Sequence, residues 1–191
     1  MIGFVPFMLS GFLEDLGGAD ARREIMAAAG FDPDVSIRLD AEYADAACRR
    51  IIDVACATLG ASEAQVFALY APYFLRRVRE LFPGFFAGVP STRAFLLRHP
   101  AIHNSLAAGL RPPERRAVAS KFRVEATPTG IRLHYRSPNR LAGLYVAVTR
   151  QLAQEFGETA ECRFEQGGPE STDCVVSVDL VPAARLLAAA E

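Results

Sequence analysis

The sequence predicts an α+β fold, because two different hydrophobic periods follow one another along the chain. From Phe4 to about Leu110, apolar residues recur at helical spacing, and Gly30 and Gly60 follow two of the periodic segments. From Phe122 onward, short segments alternate apolar and polar residues, as strands do. With 191 residues, of which 51% are hydrophobic, the chain can bury a sizeable core as one domain or as two closely associated subdomains.

Three groups of apolar residues carry the helical spacing in the first part: Phe12, Leu13 and Leu16; Ile25, Met26 and Ala29; and Ala47, Ile51, Val54 and Ala55. Ser62 followed by Glu63 predicts the start of a further helix, and Pro72 is expected to perturb the first half of that helix. A short apolar helix is predicted next, with Pro100 at its first position and His103 inside it.

The second part is predicted to form two strands, a helix and two more strands. The elements are a hairpin of 122–126 and 131–135 around the turn at 127–130, a helix over about 141–156, and strands at 162–165 and 174–180. We therefore expect a four-stranded antiparallel sheet with helices beside it.

The charge pattern argues against nucleic acid as a partner. The chain has 21 basic and 22 acidic residues, a formal net charge of -1, and no basic cluster. The apolar N-terminus lacks the basic region and cleavage site of a signal peptide, and no apolar run approaches the roughly 20 residues that span a bilayer. We expect a cytoplasmic protein without membrane insertion.

The four cysteines fit a reducing compartment. Cys48 and Cys56 are too far apart along one helix to form a disulfide, so we interpret them as buried thiols. Cys162 and Cys174 fall in two candidate strands joined by a turn, where a cross-strand pair is compatible with the pattern. The sequence has no phosphate-binding loop, no nucleophile elbow and no zinc-protease motif. We therefore expect a ligand-binding or interaction protein rather than an enzyme.

His103 is the strongest metal-ligand candidate among the three histidines, because a neutral imidazole on an apolar helix can bind iron without adding buried charge. Taken alone, such a histidine is more often a packed side chain with satisfied nitrogens. A second cluster follows at the predicted strand-to-helix turn: Tyr135, Ser137 and Arg140 supply hydrogen-bond donors suited to carboxylates. The ordinary alternative is that Ser137 simply begins the next helix. One base and one set of carboxylate donors together fit haem, which has an iron and two propionates.

The whole chain resembles the haem nitric-oxide/oxygen-binding (H-NOX) domains, which are related to the sensor domain of soluble guanylate cyclase. The resemblance includes the start at Met1–Val5, the segments Gly30–Asp34 and Phe82–Gly88, and His103 at the proximal-histidine position. It continues through Pro112-Pro113 and a Tyr-x-Ser-x-Arg-like element at Tyr135.

This resemblance implies that the chain binds haem b without a covalent bond. His103 would be the axial ligand of the iron, Tyr135 and Ser137 would hold the propionates, and Pro113 would contact the haem. The family's motif arginine is replaced by Asn139, and Arg140 follows one residue later. Arg140 would either reach back to the propionates or leave the haem less firmly held.

The resemblance also predicts which gases bind. In family members that hold O₂, a distal tyrosine donates a hydrogen bond, and Leu144 stands at that position here. The other residues that resemble distal-wall positions are apolar as well: Val5, Leu9, Phe74 and Val78. Tyr145 is one residue away and would face about 100° around the helix. We therefore expect binding of NO and CO and exclusion of O₂, although core packing is the simpler interpretation of each apolar residue.

The implied organisation is a single H-NOX-like domain over 1–191, with a distal helical subdomain at 1–60 and a proximal subdomain at 61–191 that carries the haem ligand and the sheet. NO would break the bond between iron and His103, and the two subdomains would rotate to signal to a separate protein, a histidine kinase or a cyclic-di-GMP enzyme. Two alternatives stay open: a haem-free scaffold of the same fold that binds a partner or another apolar ligand, and a thiol redox sensor that uses Cys162 and Cys174.

Overall fold

The computed structural model describes residues 3–107 and 120–182. The chain forms two compact units, Met1–Arg77 and Val78–Glu191. The division between these units falls within the third helix, and the subdomain boundary after residue 60 stays a prediction. Pro113, predicted to contact haem, lies outside the described residues.

The first unit is built from helices. Helix α1 spans Phe4–Ala28 and is broken at Gly18, whose φ of 80° and ψ of 177° are not helical. Helix α2 spans Asp45–Leu59, ends at the left-handed Gly60 and packs against α1. The fully buried side chains of this unit include Met8, Met26, Ile51, Ile52, Phe67 and Tyr70.

Helix α3 spans Glu63–Leu81 and starts where the sequence predicted. The N–H of Ser62 donates to Oε1 of Gln65 (2.9 Å), while the N–H of Gln65 donates to Oγ of Ser62 (3.3 Å). This reciprocal pair is a capping box, which satisfies two N–H groups at the helix start. Pro72 lies inside α3 without ending it.

Helix α4 spans Thr92–Leu106 and follows a single 3-10 turn at Pro83–Phe85. The prediction that this helix begins at Pro100 is wrong, because Ser91 caps it two turns earlier by accepting a hydrogen bond from the N–H of Ala94 (3.2 Å). Pro100 lies inside the helix instead. Proline has no N–H, so the helix lacks the bond that residue 100 would donate to the carbonyl of Leu96.

The second unit contains the predicted four-stranded antiparallel sheet. The strands are β1 (Phe122–Ala126), β2 (Gly130–Arg136), β3 (Glu158–Gln166) and β4 (Asp173–Pro182), in the order β1-β2-β4-β3. Helix α5 (Ala142–Glu155) connects β2 to β3 and packs against β3, whereas α4 packs against β1. The hairpin, the helix and the last two strands are all confirmed.

The buried face of the sheet follows from the alternation of residues along β2 and β4. Ile131 pairs with Val178, Leu133 with Val176 and Tyr135 with Cys174, and each of these side chains is at most 2% exposed. The intervening Arg132 and Arg136 face solvent. The core of the second unit therefore lies against the sheet face that carries Ile131, Leu133 and Tyr135.

No single helix within residues 3–107 and 120–182 is long and apolar enough to cross a membrane. Helices α2 and α3 meet the length and composition criteria only as a pair, and they are bent by 105°.

Candidate functional site

His103 lies in the last turn of α4, where it contacts the first strand of the sheet. Its ring meets the ring of Phe122 edge-on, with centroids 4.7 Å apart and an angle of 71° between the planes. His103 is half-buried. An edge-on contact of this kind restricts how the imidazole can turn, so Phe122 helps to set the direction of its nitrogens.

Phe122 also connects His103 to the predicted carboxylate donors. Its ring lies 5.4 Å from that of Tyr135, its partner in the β1–β2 ladder. The predicted iron ligand and the first predicted propionate donor therefore belong to one aromatic cluster, which sequence spacing alone could not show.

Two buried hydroxyls lie where β2 leads into α5. Tyr135 and Ser137 are each only 2% exposed. The Tyr135 hydroxyl oxygen accepts a hydrogen bond from the N–H of Leu141 (3.0 Å), and Oγ of Ser137 accepts one from the N–H of Asn139 (3.2 Å). A hydroxyl that accepts in this way can still donate its own proton, so both groups have the chemistry to bind a carboxylate.

Asn139 and Arg140 occupy the turn before α5. Arg140 has a left-handed backbone with φ of 56°, which is uncommon for residues other than glycine. Its Nε donates to the backbone carbonyl of Glu170 (2.8 Å), and the guanidinium is exposed. The structure therefore directs the Arg140 side chain to the loop between β3 and β4.

The predicted distal residues are divided between the two units. Val5 and Leu9 lie on α1 and Phe74 lies on α3, all in the first unit, where the rings of Phe4 and Phe74 are 5.7 Å apart. Val78 and Leu144 belong to the second unit and are 6% and 8% exposed.

Two residues beside His103 had no predicted role. His99 was not singled out from the sequence, and Tyr145 was considered only for its offset from Leu144. His99 lies one turn earlier on α4, with its ring 4.5 Å from that of Phe122 and 5.3 Å from that of Tyr145. Tyr145 therefore lies beside His99, a direction that its offset from Leu144 around the helix permits. The sequence signal that could have identified His99 is its four-residue spacing from His103, because residues at i and i+4 share a helix face.

Burial changes the acid–base properties of this cluster. Loss of solvent lowers the pKa of His99 from 6.5 to about 4, so its imidazole is neutral at pH 7. Its Nδ1 is buried and has no hydrogen-bond partner among the described residues, although the residue as a whole keeps some exposed surface. Burial, and to a smaller extent the nearby Cys162, raises the pKa of Tyr145.

A third unassigned group lies in the first unit. Tyr70 is fully buried, with rings of Phe12 and Phe74 5.3 and 5.5 Å away, and its hydroxyl has no hydrogen-bond partner within the described ranges. Burial raises the pKa of this phenol well above its ordinary value. A buried hydroxyl without a hydrogen-bond partner is uncommon, and no pattern in the sequence predicts one at Tyr70.

The cross-strand pairing of Cys162 with Cys174 is excluded by the strand register. Cys162 lies opposite Val178, whereas Cys174 lies four residues before Val178 on β4. Four strand residues span about 13 Å, about twice the largest Cα separation of a disulfide. All four cysteines are free, and burial raises the pKa of both Cys162 and Cys174 to about 11.

The donor set around His103 fits haem. The second unit supplies a nitrogen base in contact with Phe122, the buried hydroxyl of Tyr135 in the same aromatic cluster, and the buried hydroxyl of Ser137 two residues later. A base for iron and donors for carboxylates are the two kinds of group that haem requires from a protein. His103, Tyr135 and Ser137 are therefore chemically suited to haem.

Comparison with known proteins identifies the family over most of the chain. The sequence model of the Haem-NO-binding family matches residues 2–164. A search of curated proteins found no match.

Three similar solved structures illustrate the shared fold. One is an oxygen-binding H-NOX domain related to soluble guanylate cyclases, in its oxygen complex, with 21% identity and a TM-score of 0.75 over 96% of this chain and 97% of that one. A mutant of T. Tengcongensis H-NOX is 22% identical, with a TM-score of 0.75 over 95% and 97% of the two chains. A Cs H-NOX mutant carrying 4-cyano-L-phenylalanine is 21% identical, with a TM-score of 0.76 over 95% and 96%.

At these identities the solved structures establish the fold, and they confirm the predicted α+β H-NOX architecture. The family itself is established by the match of its sequence model to most of the residues. The chain belongs to the Haem-NO-binding family, whose members bind haem and sense gases.

Proposed function

We propose that this protein is a sensor of NO and CO that binds them at ferrous haem b, excludes O₂ and acts through the bond between His103 and the iron. The observation that carries the proposal is the position of Phe122, whose ring contacts both His103 (4.7 Å) and Tyr135 (5.4 Å). That arrangement connects the proposed iron ligand to Tyr135, the first of the proposed propionate donors.

Each side chain of the cluster has a distinct role in this proposal. His103 binds the iron through an imidazole nitrogen, and Phe122 limits rotation of that imidazole. The hydroxyls of Tyr135 and Ser137 donate to the propionates, since charge-assisted hydrogen bonds to carboxylates are stronger than neutral ones. Haem supplies the ferrous iron at which the gas binds.

Selectivity against O₂ follows from the side chain at position 144. A bound O₂ is polarised and gains from a hydrogen-bond donor, whereas NO binds strongly without one. Leu144 supplies no donor, and Val5, Leu9, Phe74 and Val78 are also apolar. The proposed distal residues therefore give NO and CO the advantage.

In this proposal His103 would hold the iron, and its release upon NO binding would begin the signal. His103 belongs to α4, which packs against β1 and β2. Release of His103 from the iron would therefore change the force that α4 exerts on these two strands. We propose that the rotation of subdomains implied by the family is detected by a separate cytoplasmic protein, either a histidine kinase or a cyclic-di-GMP enzyme. A switch of this kind transmits information only if the partner distinguishes the two states.

The test is an absorption spectrum of the purified protein after haem reconstitution. We expect a Soret band in the wild type and its loss, or its dependence on added imidazole, in His103→Gly. His134→Gly is the matched control, because His134 lies on the solvent-facing side of β2. A colourless wild type, or an unchanged spectrum in His103→Gly, contradicts the proposal.

A second candidate function has its own support in Arg140. The family's motif arginine is absent, and the Arg140 guanidinium donates to Glu170. A protein with this arrangement could retain the fold as a haem-free interaction scaffold. The same spectrum separates the two functions, since a scaffold stays colourless when haem is abundant.

A further inference from the structure

The two histidines of α4 form a pair that the haem proposal does not use in full. His99 and His103 are four residues apart on one helix face, and their ring centroids are 6.0 Å apart. Both rings meet the ring of Phe122 edge-on, at 4.5 and 4.7 Å. They therefore lie beside the same aromatic side chain.

This separation is close to that of two imidazoles bound to one metal ion. Zinc binds histidine nitrogen at about 2.0–2.1 Å, and the ring centre lies roughly 1.2 Å beyond the nitrogen, so two rings around a tetrahedral ion have centres roughly 5 Å apart. The observed 6.0 Å differs from that value by an amount that small side-chain rotations can supply. Histidines at i and i+4 also form the metal-binding pair of the His-x-x-x-His motif.

A second observation points to a ligand for His99. Its Nδ1 is buried and accepts or donates no hydrogen bond within the described part of the chain. No third His, Cys, Asp or Glu completes a metal-binding group with these histidines among residues 3–107 and 120–182. Water would therefore fill the other positions around a bound ion, as in sites that keep open coordination.

We propose that His99 and His103 chelate a divalent transition-metal ion, such as Zn²⁺, in the haem-free protein. Imidazole nitrogen suits Zn²⁺, Ni²⁺ and Cu²⁺. The competition that follows rests on the proposed function: an ion held by both histidines occupies the imidazole that haem needs. Metal and haem then exclude one another at His103, and the metal delays haem uptake.

The first experiment titrates Zn²⁺ into the haem-free full-length chain by isothermal calorimetry. We expect one ion per wild-type chain and at least about tenfold weaker binding in His99→Phe and in His103→Phe, because each loses one arm of the chelate. His134→Phe is the matched control and should bind as the wild type does. Circular dichroism establishes that each variant is folded, and His99→Gln replaces His99→Phe if the latter is not.

Two outcomes overturn the inference: no Zn²⁺ binding by the wild type, and wild-type affinity in the folded His99 variant. The second result would place the ion elsewhere, for example at a thiol.

The second experiment measures the rate of haem uptake with and without Zn²⁺. We expect Zn²⁺ to slow uptake by the wild type and to leave His99→Phe unaffected, while His99→Phe still takes up haem through His103. Equal slowing in both proteins contradicts the shared site. A wild type that binds Zn²⁺ through both histidines but never binds haem would refute the proposed function and leave the metal site standing.

Discussion

The hydroxyl oxygen of Tyr135 accepts a hydrogen bond from the backbone N–H of Leu141, 3.0 Å away, inside the protein. Leu141 directly precedes α5, whose first N–H groups have no partner within the helix. The bond therefore joins the end of β2 to the start of α5, and Tyr135 has a structural role beside its proposed contact with haem.

Tyr135→Phe should destabilise the haem-free protein by about 1–3 kcal/mol, because it leaves the buried N–H of Leu141 without an acceptor. Urea unfolding measures the change as a shift in midpoint. Tyr43→Phe is the control, since the Tyr43 hydroxyl accepts from the N–H of Arg38 in an exposed position. Equal shifts of the urea midpoint in both variants would show that burial of the Leu141 N–H does not increase the loss of stability.

Leu144→Tyr should allow the ferrous protein to hold O₂. One added hydrogen bond contributes about 1–1.5 kcal/mol, which corresponds to roughly tenfold slower O₂ dissociation. Leu144→Phe supplies the ring without the hydroxyl and should behave as the wild type. Flash photolysis and spectra in air measure the effect. A stable oxygen complex of the wild type itself would contradict the proposed selectivity.

Cys162 and Cys174 should react slowly with thiol reagents at pH 8. Burial raises the pKa of both from 9.0 to about 11, which reduces the thiolate fraction about 100-fold, and only the thiolate is nucleophilic. The reaction should accelerate as pH rises toward 11. Cys56, whose thiol is less desolvated than those of Cys162 and Cys174, should react first in a titration with Ellman's reagent.

Mild oxidant should leave the number of thiols measured in urea unchanged. Loss of two thiols per monomeric chain, assigned by mass spectrometry to Cys162 and Cys174, would restore the redox-sensor hypothesis against the strand register.

Gly130→Ala should destabilise the second unit by about 2 kcal/mol or more. A Cβ at this position would overlap the backbone carbonyl of Val178 on the neighbouring strand, and backbone has little room to move. Gly84→Ala is the control, because nothing lies within 4 Å of its added Cβ. Thermal unfolding of both variants measures the difference, and equal melting temperatures would refute the predicted clash.

The sequence predicted the elements of the second unit well, because alternation and turn residues are local properties. Phe122–Ala126 and Gly130–Arg136 form the expected hairpin around Thr127–Thr129. The start of α4 was misplaced because proline is commonest in the first helical turn, and Ser91 with Ala94 gave a weaker local signal than Pro100.

Contacts between residues that are distant in the sequence could not be predicted from local patterns in the same way. The distance between Cys162 and Cys174 depends on the register of β3 against β4, which includes an irregularity between Phe164 and Gln166. Likewise, the contact of Phe122 with His99 and His103 arises from packing of α4 on β1, and no sequence spacing encodes it. The roles of His103 and Leu144 stay predictions with a direct test in the variants proposed here, and the roles of Tyr135 and Ser137 in holding the propionates stay predictions as well.

Pro100 has a mechanical consequence for the histidine pair. It lies between His99 and His103, and it lacks the N–H that residue 100 would otherwise donate to the carbonyl of Leu96. The segment that carries His103 is therefore connected to the preceding turns of α4 by one fewer backbone hydrogen bond. A force on that imidazole can tilt the terminal turn at lower elastic cost than an uninterrupted helix would require, so the proline is a point of flexibility beside the proposed iron ligand.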